Sequence, residues 1–142
     1  MSPAMLASKP PSDASFFGAF YERSEATPRK ARDDIVRVLK DWGLDRVAGD
    51  LLLIVTELVT NSVRHTDSLE VRVNLIRLGP HSLILLVGDD STVLPDPPPG
   101  MPTALADGGR GLPLIRILAH LAFVRCRSGK RAVVLFEVPP DA

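Results

Sequence analysis

The sequence predicts an α/β (α+β) fold of two layers, a mixed β-sheet covered on one face by about three helices. Three observations predict it. Apolar residues recur at helical spacing over residues 45–65, the longest periodic signal in the chain. Two pairs of alternating runs, one within residues 69–88 and one within 122–138, each broken by turn residues, read as β-hairpins. Between the hairpins a glycine-rich stretch at 108–111 opens a short apolar helix. The resulting order of strand, helix, helix, strand pair, loop, helix and strand pair lacks the strict alternation of a Rossmann domain, and no GxGxxG follows a strand.

Residues 1–14 are rich in Pro, Ser and Ala and poor in large apolar groups, so they are expected to form a flexible segment ahead of a single domain at 15–142. Residues 15–22 carry aromatic side chains suited to an edge strand. Thr27 followed by Pro28 is a cap and first-turn signal, and Ala31, Ile35, Val38, Leu39 and Trp42 then share one helical face until Gly43 ends it. The helix over 45–65 turns Leu51, Leu52, Val55, Leu58, Ser62 and Val63 inward. Residues 69–78 alternate around Val71, Val73, Leu75 and Ile76, and Gly79, Pro80 and His81 turn the chain into a second strand over 82–88. Residues 89–107 hold five of the 13 prolines and are expected to be a long irregular loop of the lid or binding type. A third helix is expected over 108–121 on the strength of Leu112, Ile115, Leu118 and Ala119, followed by strands at 122–127 and 132–138.

With 142 residues, 45% of them hydrophobic, the chain is long enough for one core that buries roughly 70% of the unfolded surface. Its 17 basic and 17 acidic residues cancel, so no net basic field invites a nucleic acid or an anionic membrane. The single cysteine, Cys126, cannot close an intrachain disulfide and has no spaced companions for a zinc site. Together with the absence of a long apolar stretch, this reads as a cytoplasmic protein.

Glu57, Asn61 and His65 stand four residues apart, which puts three ligand-capable side chains on one stripe of an otherwise apolar helix. A solvated face is the ordinary reading of such a stripe. However, Asn61 and its neighbours Val59 and Thr60 are weak helix formers, a local cost that needs a reason. Asp89 closes an apolar strand and opens the long loop, where an Asp also serves as a turn residue. Gly108, Gly109 and Gly111 precede a helix, where free N–H groups can receive a phosphate and where glycine is also common for steric reasons alone. Each element is weak alone. In order and at these spacings they form a constellation.

The run Glu57-Leu58-Val59-Thr60-Asn61-Ser62-Val63-Arg64-His65 strongly resembles the N box of the GHKL (Bergerat-fold) ATPases and kinases, in the subgroup of anti-sigma-factor serine/threonine kinases. Val87-Gly88-Asp89-Asp90-Ser91 resembles the first glycine box and Gly109-Arg110-Gly111-Leu112 the second. Trp42-Gly43-Leu44 and Gly129-Lys130 also stand in the family's usual places, so the resemblance covers residues 28–138. It implies a Bergerat ATP-binding fold with ATP and Mg²⁺ as cofactors. Asn61 would bind the metal, Asp89 the adenine amino group, and Gly109 and Gly111 would let the loop and helix start wrap the phosphates. Glu57 would be the general base and His65 would support the pocket edge. The implied nucleotide-binding set is Asn61, His65, Asp89, Ser91, Gly109, Arg110, Gly111 and Leu112.

The implied activity is phosphorylation of a small antagonist protein by a kinase that sequesters a sigma factor when free; a nucleotide-binding partner switch with little turnover is the alternative. A third alternative, a metal-binding or structural protein without nucleotide, leaves Asp89 and residues 109–112 unexplained. The expected partners are ATP or ADP, a sigma factor and its antagonist, with a homodimer among the expected states and neither nucleic acid nor membrane. No phosphoacceptor helix of the sensor-kinase type is expected ahead of the domain, and no transducer domain after it. Ser91 departs from the family's glycine. Arg131 stands where a small hydroxyl residue often helps the Asp hold adenine, and a bulky cation there crowds the pocket unless it points away.

Overall fold

A computed structural model describes residues 14–91, 111–127 and 129–140. Five strands, β1 (Ala14–Glu22), β2 (Glu70–Leu78), β3 (Ser82–Asp89), β4 (His120–Cys126) and β5 (Gly129–Glu137), form one sheet in the order β1-β2-β3-β5-β4. Helices α1 (Thr27–Asp41), α2 (Ala48–His65) and α3 (Gly111–Leu118) complete the fold, with a short 3₁₀ turn at Asp45–Val47 before α2. The two-layer α+β class is the expected one. The sheet, expected to be mixed, instead has four antiparallel pairings. The crossover through α3 does leave β3 and β4 pointing the same way, but β5 returns between them and removes the parallel contact.

The core lies between sheet and helices, and strand parity assigns its residues. Val71, Val73 and Leu75 of β2, Leu83, Leu85 and Val87 of β3, and Ala132, Val134 and Phe136 of β5 alternate inward against Ile35, Leu39, Leu51, Ile54, Val55 and Leu58 of the helices. Helix α2 packs between α1 and α3 and over β2 and β3. On the opposite face of the sheet Phe16, Phe20, Leu78, Val124 and Leu135 remain exposed.

Several boundaries differ from expectation: the helix expected from residue 45 begins at Ala48 after the 3₁₀ turn, and the strands expected at 122–127 and 132–138 run His120–Cys126 and Gly129–Glu137. Thr27 is the first residue of α1 rather than its cap; its buried hydroxyl accepts from the Ser24 N–H (2.9 Å) and donates to the Glu22 carbonyl (2.7 Å), fastening the end of β1 to the helix start. The third helix, expected to reach 121, stops at Leu118, because Leu121 gains more by pairing with Val134 and burying its side chain in the sheet than by adding a helical turn. Residues 108–110, where that helix was expected to open, and residues 1–13 of the expected flexible segment lie outside the described residues. Gly43 ends α1 as expected, at φ 71°. The Leu44 N–H reaches back to the Leu39 carbonyl (2.8 Å), and both leucines are buried, which is how a glycine-terminated helix satisfies its last carbonyls.

Strand β1 is an edge strand, as its composition predicts, and Tyr21 pins it to α1 by donating to Asp34 Oδ2 (2.6 Å). Burial first, then the Asp34 hydrogen bond and charge, push the Tyr21 hydroxyl well above its ordinary 10.0. The raised folded-state value means that this hydroxyl's contribution to stability is complete below pH 10.0 and is lost as pH rises through the folded-state value. Since the chain has a single tyrosine, an alkaline absorbance titration reads this group directly. Tyrosinate should appear only together with unfolding, and Asp34→Asn should bring ionisation to lower pH; an ordinary titration curve in the folded protein would contradict the burial argument.

Candidate functional site

The site is assembled where the C-terminal part of α2 meets the end of β3. Glu57 and Asn61 are half-buried and His65 is exposed, so the stripe lies at the helix boundary with solvent while Leu58, Val59, Ser62 and Val63 face the core. Among the described residues none hydrogen-bonds the side chains of Glu57, Asn61 or His65.

Asp89 has the inward parity of Leu83, Leu85 and Val87, and it is only 1% exposed. An ionised carboxylate at that depth requires several donors. Ser62 Oγ donates to Asp89 Oδ2 (2.7 Å), joining the helix residue next to Asn61 to the strand end. The Ser91 N–H donates to Oδ1 (2.9 Å), an Asx-type turn, so Asp89 does serve the ordinary turn role. Lys130 Nζ donates to Oδ1 (2.9 Å) and to Oδ2 (2.7 Å). Behind this cluster the Asp90 N–H donates to Ser68 Oγ (2.9 Å), and the Arg72 guanidinium lies 3.7 Å from Asp90 Oδ1, holding the first residue after the strand against the α2–β2 connection and β2.

The backbone of β5 comes unusually close here. A Cβ on Gly129 would lie 1.9 Å from the Asp89 carbonyl oxygen, so only glycine permits this approach, and it sets Lys130 opposite Asp89 in the β3–β5 register. Of the two alternatives for Arg131, the structure has the one in which it points away, and the cation beside Asp89 is its neighbour Lys130, which the sequence did not single out for that place. Arg131 pairs across from Gly88, is exposed and does not crowd the Asp89 side of the sheet; Lys130 is the cation that faces it. The missed signal was parity: Ala132, Val134 and Phe136 alternate inward, which puts Lys130 on their face and Arg131 on the other. Ser62 was foreseen as inward-facing but not as a partner of Asp89.

Gly111 and Leu112 form the first turn of α3, whereas Gly109, Arg110 and the lid-type loop up to residue 107 lie outside the described residues beyond Ser91. A cavity of about 630 Å³ lined by Arg23, Ser24, Glu25, Pro28, Thr60, Val63 and Arg64 opens beside α2, but Glu57, Asn61 and Asp89 do not line it. Among the described residues no group of three or more His, Cys, Asp or Glu side chains could hold a metal ion. A Mg²⁺ that arrives with a nucleotide asks for less, one or two protein oxygens beside the phosphates and water. The half-buried Asn61 amide beside the buried Ser62–Asp89 contact fits that demand.

A two-layer sandwich in which Ser62, on the helix that carries the polar stripe, is bonded to a buried aspartate at a central strand end has the architecture of a GHKL ATP-binding domain. The family model described as a histidine kinase-like ATPase domain matches residues 22–136. The chain belongs to this family, and ATP binding is the property that membership implies. Among solved structures it is similar to the histidine kinase domain from the Erythrobacter litoralis EL346 blue-light activated histidine kinase, with 24% identity and a TM-score of 0.51 over 65% of this chain and 45% of that one. It is similar also to the Erythrobacter litoralis EL346 blue-light activated histidine kinase itself, with 22% identity and a TM-score of 0.52 over 66% of this chain and 31% of that one. The chain thus corresponds to less than half of either structure, and at these identities the likeness concerns the fold. No curated protein matches the chain. Among the described residues no helix is long and apolar enough to cross a membrane.

Proposed function

We propose that this chain is a Mg·ATP-dependent serine/threonine protein kinase of the anti-sigma-factor type, which phosphorylates a small antagonist protein and otherwise sequesters a sigma factor. The observation that carries the reading is the Ser62–Asp89 hydrogen bond, because it locks the helix that carries Glu57 and Asn61 to the strand end that carries the base-recognising carboxylate. In this reading the adenine amino group donates to Asp89, and Asn61 offers its side-chain oxygen to the metal. Bound Mg²⁺ would supply charge neutralisation on the phosphates. Glu57, one helical turn before Asn61, takes the proton from the acceptor serine hydroxyl as its oxygen bonds to the γ-phosphorus and ADP departs.

The test is calorimetry of ATP and ADP with and without Mg²⁺. Asn61→Ala should weaken binding by about tenfold or more in the presence of Mg²⁺, the scale of a lost contact to a charged group, and much less in its absence. Equal affinities of both proteins in both conditions would remove the N-box assignment. One observation favours a second reading, a partner switch with little turnover: Asp89 already has an internal cation, Lys130, at bonding distance. An assay of transfer to a cognate antagonist separates the two readings.

A further inference from the structure

An ionised carboxylate offers about four acceptor positions. At Asp89 the chain's own donors fill four: Lys130 Nζ and the Ser91 N–H on Oδ1, Lys130 Nζ and Ser62 Oγ on Oδ2. The side chains of this ion pair are 1% exposed on the Asp89 side and 10% on the Lys130 side, so the pair is little screened by water. Of the three donors, Ser91 N–H is fixed by the backbone turn and Ser62 by the packed helix α2. Lys130 alone reaches the carboxylate through a flexible four-carbon stem, while the close approach at Gly129 keeps its backbone in register.

We propose that Lys130 is the specificity-determining residue of the base pocket, an internal cation that competes with the nucleobase for Asp89. The inference rests on the reading of Asp89 as the base-recognising carboxylate. An adenine amino group is a donor and can use Asp89 only when the ammonium has left one of its oxygens. Adenine binding therefore carries the cost of breaking a shielded ion pair. Guanine presents a carbonyl acceptor at the corresponding edge, to which the ammonium can donate, so Lys130 penalises adenine more than guanine. Removing the ammonium should release Asp89 for the adenine amino group and sharpen discrimination.

The experiment measures ATP and GTP affinities, with Mg²⁺, for the wild-type chain, Lys130→Met and Lys130→Arg. Methionine keeps an apolar stem and removes the donor; arginine keeps the charge. Lys130→Met should bind ATP about tenfold more tightly and raise the ATP-over-GTP ratio by a similar factor, the scale of one charge-assisted contact, while Lys130→Arg stays close to wild type in that ratio. A merely structural lysine would move both nucleotides together, so an unchanged ratio, or ATP binding weakened by Lys130→Met, overturns the proposal. If Lys130→Met fails to fold by thermal melting, Lys130→Thr serves in its place with the same expectation, since a hydroxyl can accept as well as donate. Asp89→Asn separates the two levels of the argument. Loss of ATP affinity in Asp89→Asn together with an unchanged ratio in the Lys130 variants sinks only the competition, whereas unaltered ATP affinity in Asp89→Asn sinks the base-recognition reading and the competition with it.

Discussion

Replacing Glu57 by Gln should lower phosphate transfer to a protein serine by about 10²–10⁴-fold while nucleotide affinity stays nearly unchanged. The two effects separate because the carboxylate is assigned to the nucleophile and not to the nucleotide. Glutamine keeps the length and polarity of the side chain and loses only the capacity to accept a proton. Half-burial of Glu57 on a rigid helix means that the substitution leaves the backbone and the core face of α2 undisturbed. The measurement is single-turnover transfer from labelled ATP to a cognate antagonist, with affinity followed in parallel. A wild-type rate in the variant would assign the base to another group; no transfer in the wild-type chain with a verified partner would leave the partner-switch reading standing.

The largest expected effect on stability falls at Leu85. This side chain lies on the central strand β3 directly between Leu75 of β2 and Val134 of β5, and all three are fully buried beneath the helices. Leu85→Ala leaves a cavity that neighbours on three strands cannot collapse into without moving the sheet, so unfolding should cost about 2–5 kcal/mol less. Leu86, the next residue, points to the open face and is half-buried, so Leu86→Ala should cost clearly less. Denaturant melts of the two variants check this: equal losses would mean that the parity of β3, and with it the inward placement of Asp89 two pairs further on, is wrong. In the fraction of Leu85→Ala that remains folded, weaker nucleotide binding is also expected, since Val87 and Asp89 continue the same packed row.

Much of the fold was legible because it rests on local rules. The period of α2, the glycine at position 43 and the turn at 79–81 each state a backbone preference that the neighbouring residues do not contradict, and the elements form close to where expected, with α2 beginning at Ala48 and not at residue 45. By contrast, the inward set of β3 was not legible, because residues 83–87 are all apolar and only the covered face of the sheet selects Leu83, Leu85 and Val87. The end of α3 was misplaced, since Leu118, Ala119 and Leu121 satisfy a helical face and a strand about equally, and only pairing with β5 decides. The direction of strand neighbours was likewise a matter of where β5 inserts, a long-range choice with no local signature.

The candidate site divides in the same way. By itself the sequence determined which residue types are available and in what order: a carboxylate, an amide and an imidazole on one helix stripe, an aspartate at a strand end, glycines before a helix. Those are properties of spacing, which a chain carries into any fold that respects its periodicities. Only the tertiary structure decided which groups meet. Ser62 and Asp89 are 27 residues apart and Lys130 and Asp89 are 41 apart, separations that no local backbone preference spans. The packing of α2 on β3 and the register of β5, fixed by the one glycine that lets its backbone touch Asp89, make them partners, because a buried carboxylate takes its donors from whatever the surrounding elements place within reach.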